Sequence, residues 1–168
     1  MIKNLTFLFV ILYSIFCCSQ EKGKPKTDFV LSSGIILQSN LFADVNIIAG
    51  KVAVENSKIP IVGVTGFRIG FESNFRSDEN YTIAPKLGYE ISATVFSMRL
   101  STVNYFQNDK SEFRLLPEIG FSYLGFINLT YGYGIAFNNG NLRNVSNHRL
   151  SLSINLNRKL MNGVKEMN

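Results

Sequence analysis

Apart from Cys17 and Cys18, which lie in the apolar run that opens the chain, the sequence has no cysteine. Beyond that run, disulfides and thiolate metal sites are therefore excluded. There is no tryptophan, a single histidine and only four prolines in 168 residues. One histidine without cysteine is a poor basis for a metal site. Scarce proline beside 14 Phe and 7 Tyr favours ordered β structure. The formal charge of +5 falls to +4 without Lys3 and contains no basic run of five or more. Nucleic acid is thus not an expected partner. Past the opening run, no stretch approaches the length of a membrane helix, so a membrane-spanning chain would have to cross as strands closed into a barrel.

What is present begins with a leader. Lys3 precedes an apolar run from Leu5 to Cys18 that ends in small and polar residues, the pattern of a secretory signal peptide. Cleavage after Gln20 is expected and leaves 148 residues, enough for one domain. Acylation of Cys17 or Cys18 is disfavoured because the bulky Phe16 precedes Cys17. The expected division is a signal peptide over 1–20, a polar linker over 21–28, a β-barrel over 29–157 and a C-terminal tail over 158–168.

The clearest pattern lies between Ser111 and Phe137. Ile127, Leu129, Tyr131, Tyr133, Ile135 and Phe137 share one parity, and Asn128, Thr130, Gly132, Gly134 and Ala136 the other. That alternation is a strand with one bulky apolar face and one small or polar face. Phe113, Leu115, Pro117, Ile119, Phe121 and Tyr123 repeat it one element earlier, with Leu116 as the exception, and Leu124-Gly125 is short enough for a hairpin turn. Six further strands are expected at about Phe29–Gln38, Ala43–Glu55, Ile61–Phe75, Tyr81–Glu90, Val95–Phe106 and His148–Asn157, with Val45, Ile47 and Ala49 facing outward on the second. The even total of eight suits an antiparallel up-and-down barrel. Ser73–Asn80, Gln107–Lys110 and Asn138–Asn147 read as polar loops, whereas Ile91–Thr94 and Leu124-Gly125 read as tight turns. Long loops on one side and short turns on the other match an outer-membrane barrel with periplasmic termini.

The parity opposite the apolar one is crowded with glycine: Gly66, Gly70, Gly88, Gly120, Gly132 and Gly134. On a solvated strand face glycine costs order and contributes no packing. Inside a narrow barrel it makes room for long neighbours, and this parity supplies Arg68, Lys86, Arg99, Arg114 and Arg149 against Glu72, Glu90, Glu112 and Glu118. A lipid-facing Arg or Lys near the bilayer midplane costs about 2 to 4 kcal/mol, so this parity is expected to line the lumen and the apolar one to meet lipid. Residues four apart on one strand are too distant to pair, so salt bridges are expected between neighbouring strands. Eight strands are just wide enough for such side chains to fill the bore. Phe75, Tyr81, Tyr105, Phe106, Phe113 and Phe137 are expected in an interfacial aromatic girdle.

With these residues in view, the chain resembles the small eight-stranded outer-membrane barrels of the OmpA and OmpX type, and more closely uncharacterised short barrels carrying segments like PKLGYE, LLPEIGFS and NLTYGYGI. The resemblance spans about Phe29 to Asn157. It implies an integral, monomeric outer-membrane protein in contact with lipid. The chain departs from that pattern by continuing past its last strand, where many such proteins end on an aromatic residue.

Candidate chemistry is sparse. His148, Ser151 and Glu118 could be drawn as a hydrolytic triad, but residues three apart on a strand point to opposite faces. Asp78, Glu79 and Asp109 are loop acids that could meet divalent ions, although such acids are usually only solvated. Gly132-Tyr133-Gly134 lies mid-strand with no following helix and is not a phosphate cradle. The triplets at Asn80, Asn128 and Asn144 match a glycosylation sequon by composition alone. No catalytic, cofactor-binding or metal residue is assigned, and no cofactor is expected. The leading expectation is a non-catalytic outer-membrane barrel with a structural or surface-interaction role. A soluble secreted lipocalin-like carrier and an outer-membrane lipid-modifying enzyme are the alternatives.

Overall fold

A computed structural model describes residues 27–55, 61–74, 81–138, 140, 142–143 and 145–166. The expected signal peptide, most of the linker, Phe75, Asp78, Glu79, Asn80 and Asn144 lie outside these residues. The strands are β1 (Asp28–Leu37), β2 (Leu41–Glu55), β3 (Ile61–Ser73), β4 (Ile83–Ser92), β5 (Phe96–Gln107), β6 (Lys110–Tyr123), β7 (Ile127–Tyr133), the two-residue β8 (Ile135–Ala136) and β9 (His148–Leu156). Each long strand pairs antiparallel with its neighbours, β1 pairs with β9 and β5 with β6, so the sheet closes on itself. The result is an eight-stranded barrel in which β8 continues the line of β7 after a break at Gly134.

The alternation places the side chains as the sequence implies. Val45, Ile47 and Ala49 face outward, as do the bulky rows of β3 to β9. Phe29, Phe67 and Phe121 are 68%, 68% and 78% exposed, whereas Arg68, Glu72 and Glu90 on the other parity are fully enclosed. Leu116, which breaks the parity of β6, points inward and joins Ile36, Phe42, Ala84, Val103 and Tyr105 in an apolar cluster.

Two expectations, on the β5–β6 connection and on Tyr105, are corrected. Gln107–Lys110 is not a long loop: Gln107 pairs with Lys110, leaving the two-residue turn Asn108-Asp109, with Asn108 at φ 52°. Asparagine tolerates that left-handed conformation better than most residues. Tyr105, expected in a girdle, lies in the lumen instead, because β5 alternates without interruption from Phe96 and puts 105 on the inward parity. The segment after β9 folds into helix α1 (Arg158–Glu166). The Asn157 side chain caps α1, its Oδ1 accepting from the backbone N–H of Lys159 (2.8 Å) and Leu160 (3.3 Å).

Strand directions put the start of β1, the end of β9 and α1 at one end of the barrel, with the β2–β3, β4–β5 and β6–β7 connections. Leu160 is fully buried there among Val30, Ile48, Val52, Val62, Val64 and Leu124. The β6–β7 turn is closed by Phe126 N–H donating to Tyr123 C=O (2.9 Å), with Leu124 at φ 54° and Gly125 at φ 68°. Positive φ at both central residues is the type I′ geometry that suits a twisted hairpin. Glycine adopts it freely; Leu124 does so while burying its side chain in the apolar plug. At the opposite end the β8–β9 connection folds inward, setting Leu142 and Val145 against the second apolar cluster.

Candidate functional site

Between the two apolar ends the lumen holds ten charged side chains, contributed by β2, β3, β4, β5, β6 and β9. Nine are those expected from the sequence. The tenth, Asp44, brings the described interior to five cations and five anions, a formal balance of zero.

Eight of the ten form one alternating chain. Arg149 Nε lies 3.5 Å from Glu118, and its Nη2 lies 2.9 Å from Glu72. Lys86 Nζ reaches Glu72 at 3.0 Å and Asp44 at 2.5 Å. Asp44 is 3.3 Å from Arg68, which is 3.1 Å from Glu90, and Glu90 is 3.0 Å from Arg99 Nε. Every ion in this path, apart from its two ends, has an opposite charge on both sides. Such alternation offsets the desolvation of burying each group, which an isolated buried charge could not bear. Neutral donors and acceptors fill remaining positions: Arg99 donates to Ser153 Oγ (2.5 Å), Asn155 donates to Glu90 (2.9 Å) and Ser151 donates to Glu118 (3.0 Å).

Glu112 and Arg114 form a separate pair at 2.5 Å near the end away from the termini. Arg114 also donates to the Ser146 carbonyl (2.7 Å), and Glu112 accepts from the Gly140 N–H (2.9 Å). Gln107 donates to the Arg143 carbonyl (2.8 Å) and accepts from its N–H (2.9 Å). These bonds hold the β8–β9 connection across the barrel mouth. Tyr105 links the pair to the main chain of charges: its hydroxyl donates to Glu72 (3.2 Å) and accepts from Arg149 (3.1 Å), while its ring lies under the Arg114 guanidinium at 5.5 Å.

The expectation of pairing between neighbouring strands holds only in part. Arg68–Asp44, Lys86–Glu72, Arg68–Glu90 and Arg99–Glu90 join adjacent strands, but Lys86–Asp44 skips β3, Arg149–Glu118 skips β7 and Arg149–Glu72 crosses the bore. Glu112–Arg114 is an i, i+2 pair on one strand. Expectation treated the wall as a flat sheet, and curvature brings distant strands within side-chain reach.

Comparison of the chain with family models, with curated proteins and with solved structures finds no match.

The remaining candidates separate. Ser151 and Glu118 meet inside the wall, whereas His148 stands outside it, its Nδ1 2.5 Å from the Tyr131 hydroxyl and its ring edge-on to Tyr133. The three residues therefore do not assemble into a triad. Asn128 is fully buried in the lumen wall, and Gly132 faces Glu118 and Arg149. No group of His, Cys, Asp and Glu fit to hold a metal occurs among the described residues. Asp44 and Tyr105 were the members of the network that sequence reading missed. Both are signalled by parity: Asp44 alternates with the outward Val45, and Tyr105 shares the parity of the lumen-facing Arg99 on β5.

Proposed function

We propose that this chain is an integral bacterial outer-membrane β-barrel, exported through its leader, acting as a monomer in a non-catalytic structural or surface-interaction role. The observation that carries this reading is the inside-out distribution of polarity. The wall turns Leu, Ile, Phe and Tyr outward along every long strand and encloses ten charges. In water, that outer surface would be an apolar patch far larger than soluble monomers expose. In a bilayer it is the expected coat, and the cost of lipid-facing charge is avoided by placing the ions in the lumen. Among the described residues no helix is long and apolar enough to cross a membrane, so spanning would fall to the strands. A lipocalin-like carrier would need the bulky parity turned inward around its ligand, and the opposite orientation weighs against that alternative.

On this reading the end carrying α1 and the terminal strands faces the periplasm, and the β8–β9 connection faces outward from the cell. Fractionation without detergent tests the proposal. The mature chain should sediment with outer membranes and resist extraction by salt or carbonate, and its recovery as a soluble monomer would reject the reading.

A further inference from the structure

We propose that the outer wall carries a site for one glycerophospholipid with an anionic phosphate headgroup, beside the end of the barrel where the termini meet. The inference rests on the membrane reading above and adds a defined ligand to it. Around most of the circumference the outward positions are large apolar residues. On β2 and β3 near the termini they become small, at Ala49, Ala53 and Thr65, and a groove of about 1080 Å³ opens there. One flank is the edge-to-face pair Phe67 and Tyr89, with ring centroids 5.1 Å apart. A slot of small residues beside an aromatic ridge fits a flexible acyl chain, which the neighbouring bulky rows would hold off the wall.

Charge fixes the other end of the ligand. Lys51 lines the groove and is the only Lys, Arg, Asp or Glu among the outward-facing strand side chains described. Its ammonium makes no hydrogen bond or ion pair with any described residue. An unpaired lipid-facing lysine is costly at the midplane and tolerable at headgroup level. Lys51 stands at that level: β1 begins opposite Gly50, so position 51 lies one residue past the start of the neighbouring strand. Across the groove, Lys159 of α1 donates to the Val52 carbonyl at 2.6 Å and reaches Asp28 at 3.4 Å. An ammonium has three donors, so one remains for a phosphate oxygen. Lys51, Lys159 and Asp28 together leave the groove one positive charge, and basic recesses at membrane level characteristically take lipid headgroups.

The test uses the mature chain refolded into phosphatidylcholine vesicles containing phosphatidylglycerol, with bound lipid counted by native mass spectrometry after gentle extraction. One phosphatidylglycerol should remain on each barrel in preference to phosphatidylcholine. Lys51→Gln should weaken that retention about fivefold, the factor expected for one lysine near a headgroup. Lys110→Gln, at the opposite end, should leave it unchanged, and Ala49→Leu should lower retention of both lipids by filling the slot. A barrel that inserts with heat-modifiable mobility yet retains phosphatidylglycerol equally with and without Lys51, or retains none, overturns the site. A chain that does not enter the vesicles rejects the membrane reading itself, and the site with it, and is distinguished by its failure to insert.

Discussion

Arg149 grips Glu72 with both arms, Nη1 3.0 Å from Oε2 and Nη2 2.9 Å from Oε1, although β1 and β2 separate the strands that carry them. A bidentate bond across the bore ties opposite walls together, and both partners are sealed from water. Removing one partner leaves the other buried and unpaired. Arg149→Met or Glu72→Leu alone should therefore destabilise the barrel by about 3 to 5 kcal/mol, while the double variant should cost much less than the sum. Urea unfolding in vesicles measures the cycle, and additive single effects would contradict the coupling.

Gly132 and Gly134 should respond unequally to a methyl group. A Cβ at 132 would lie 2.7 Å from Glu118 Cγ and 3.2 Å from the Pro117 carbonyl, whereas at 134 the nearest atom is Arg114 Cδ at 3.2 Å. Gly132→Ala should cost roughly 1 to 3 kcal/mol through overpacking, and Gly134→Ala less, because the end of a long side chain can shift. Equal losses in unfolding midpoint would show that the neighbours of Gly132 yield as readily.

Charge placed on the outer face of β7 reads the solvent of the wall. Leu129→Arg or Tyr131→Arg should each cost about 2 to 4 kcal/mol near midplane and impair insertion. Sequence reasoning expects Thr130→Arg to be milder, since Gly132 and Gly134 leave space beside it. That space is taken: Thr130 is fully buried, 3.5 Å from Arg99 Nη1, so an arginine there would meet a like charge in a filled lumen. It should be at least as damaging. The discriminating measurement is Leu129→Cys in the mature chain, which should react with a lipid-dissolved thiol reagent and resist a water-soluble one. Reaction with the water-soluble reagent alone would contradict a lipid-facing wall.

Purified protein in planar bilayers should give no stable conductance. The charges and Tyr105 occupy the middle of the bore, Leu160 closes one end, and the bonds from Gln107, Glu112 and Arg114 hold the β8–β9 connection over the other. A reproducible open channel from the folded chain would refute the filled lumen as the conducting-state geometry.

The barrel was legible because a strand's period of two is written directly into residue type. Outward Phe67, Ile69 and Phe71 against inward Arg68 and Glu72 suffice to orient β3 without knowing its neighbours. Parity also contained Tyr105, whose aromatic character drew it to the girdle although its position was inward. What parity cannot convey is who meets whom across a closed curve. Arg149 and Glu72 are 77 residues apart and share no ladder, so their contact depends on barrel closure. Helix α1 was obscured because nine residues with Leu160, Gly163 and Val164 as the packed face give little periodic signal, and its cap at Asn157 was read as the end of a strand. Function is less legible still, for the interior is spent on its own pairing.

The docking of α1 also bears on how the barrel is held closed. Most of its contacts are with the first described strands: Asn157 Nδ2 donates to the Phe29 carbonyl at 2.8 Å, Lys159 reaches Asp28 and Val52, and Leu160 packs among Val30, Val52 and Val62 as well as Leu124. The last described element thus packs on the first three described strands, beside the end of β9. It acts as a clasp over the seam between β1 and β9, so that parting the two strands at this end also breaks the bond from Asn157 to Phe29.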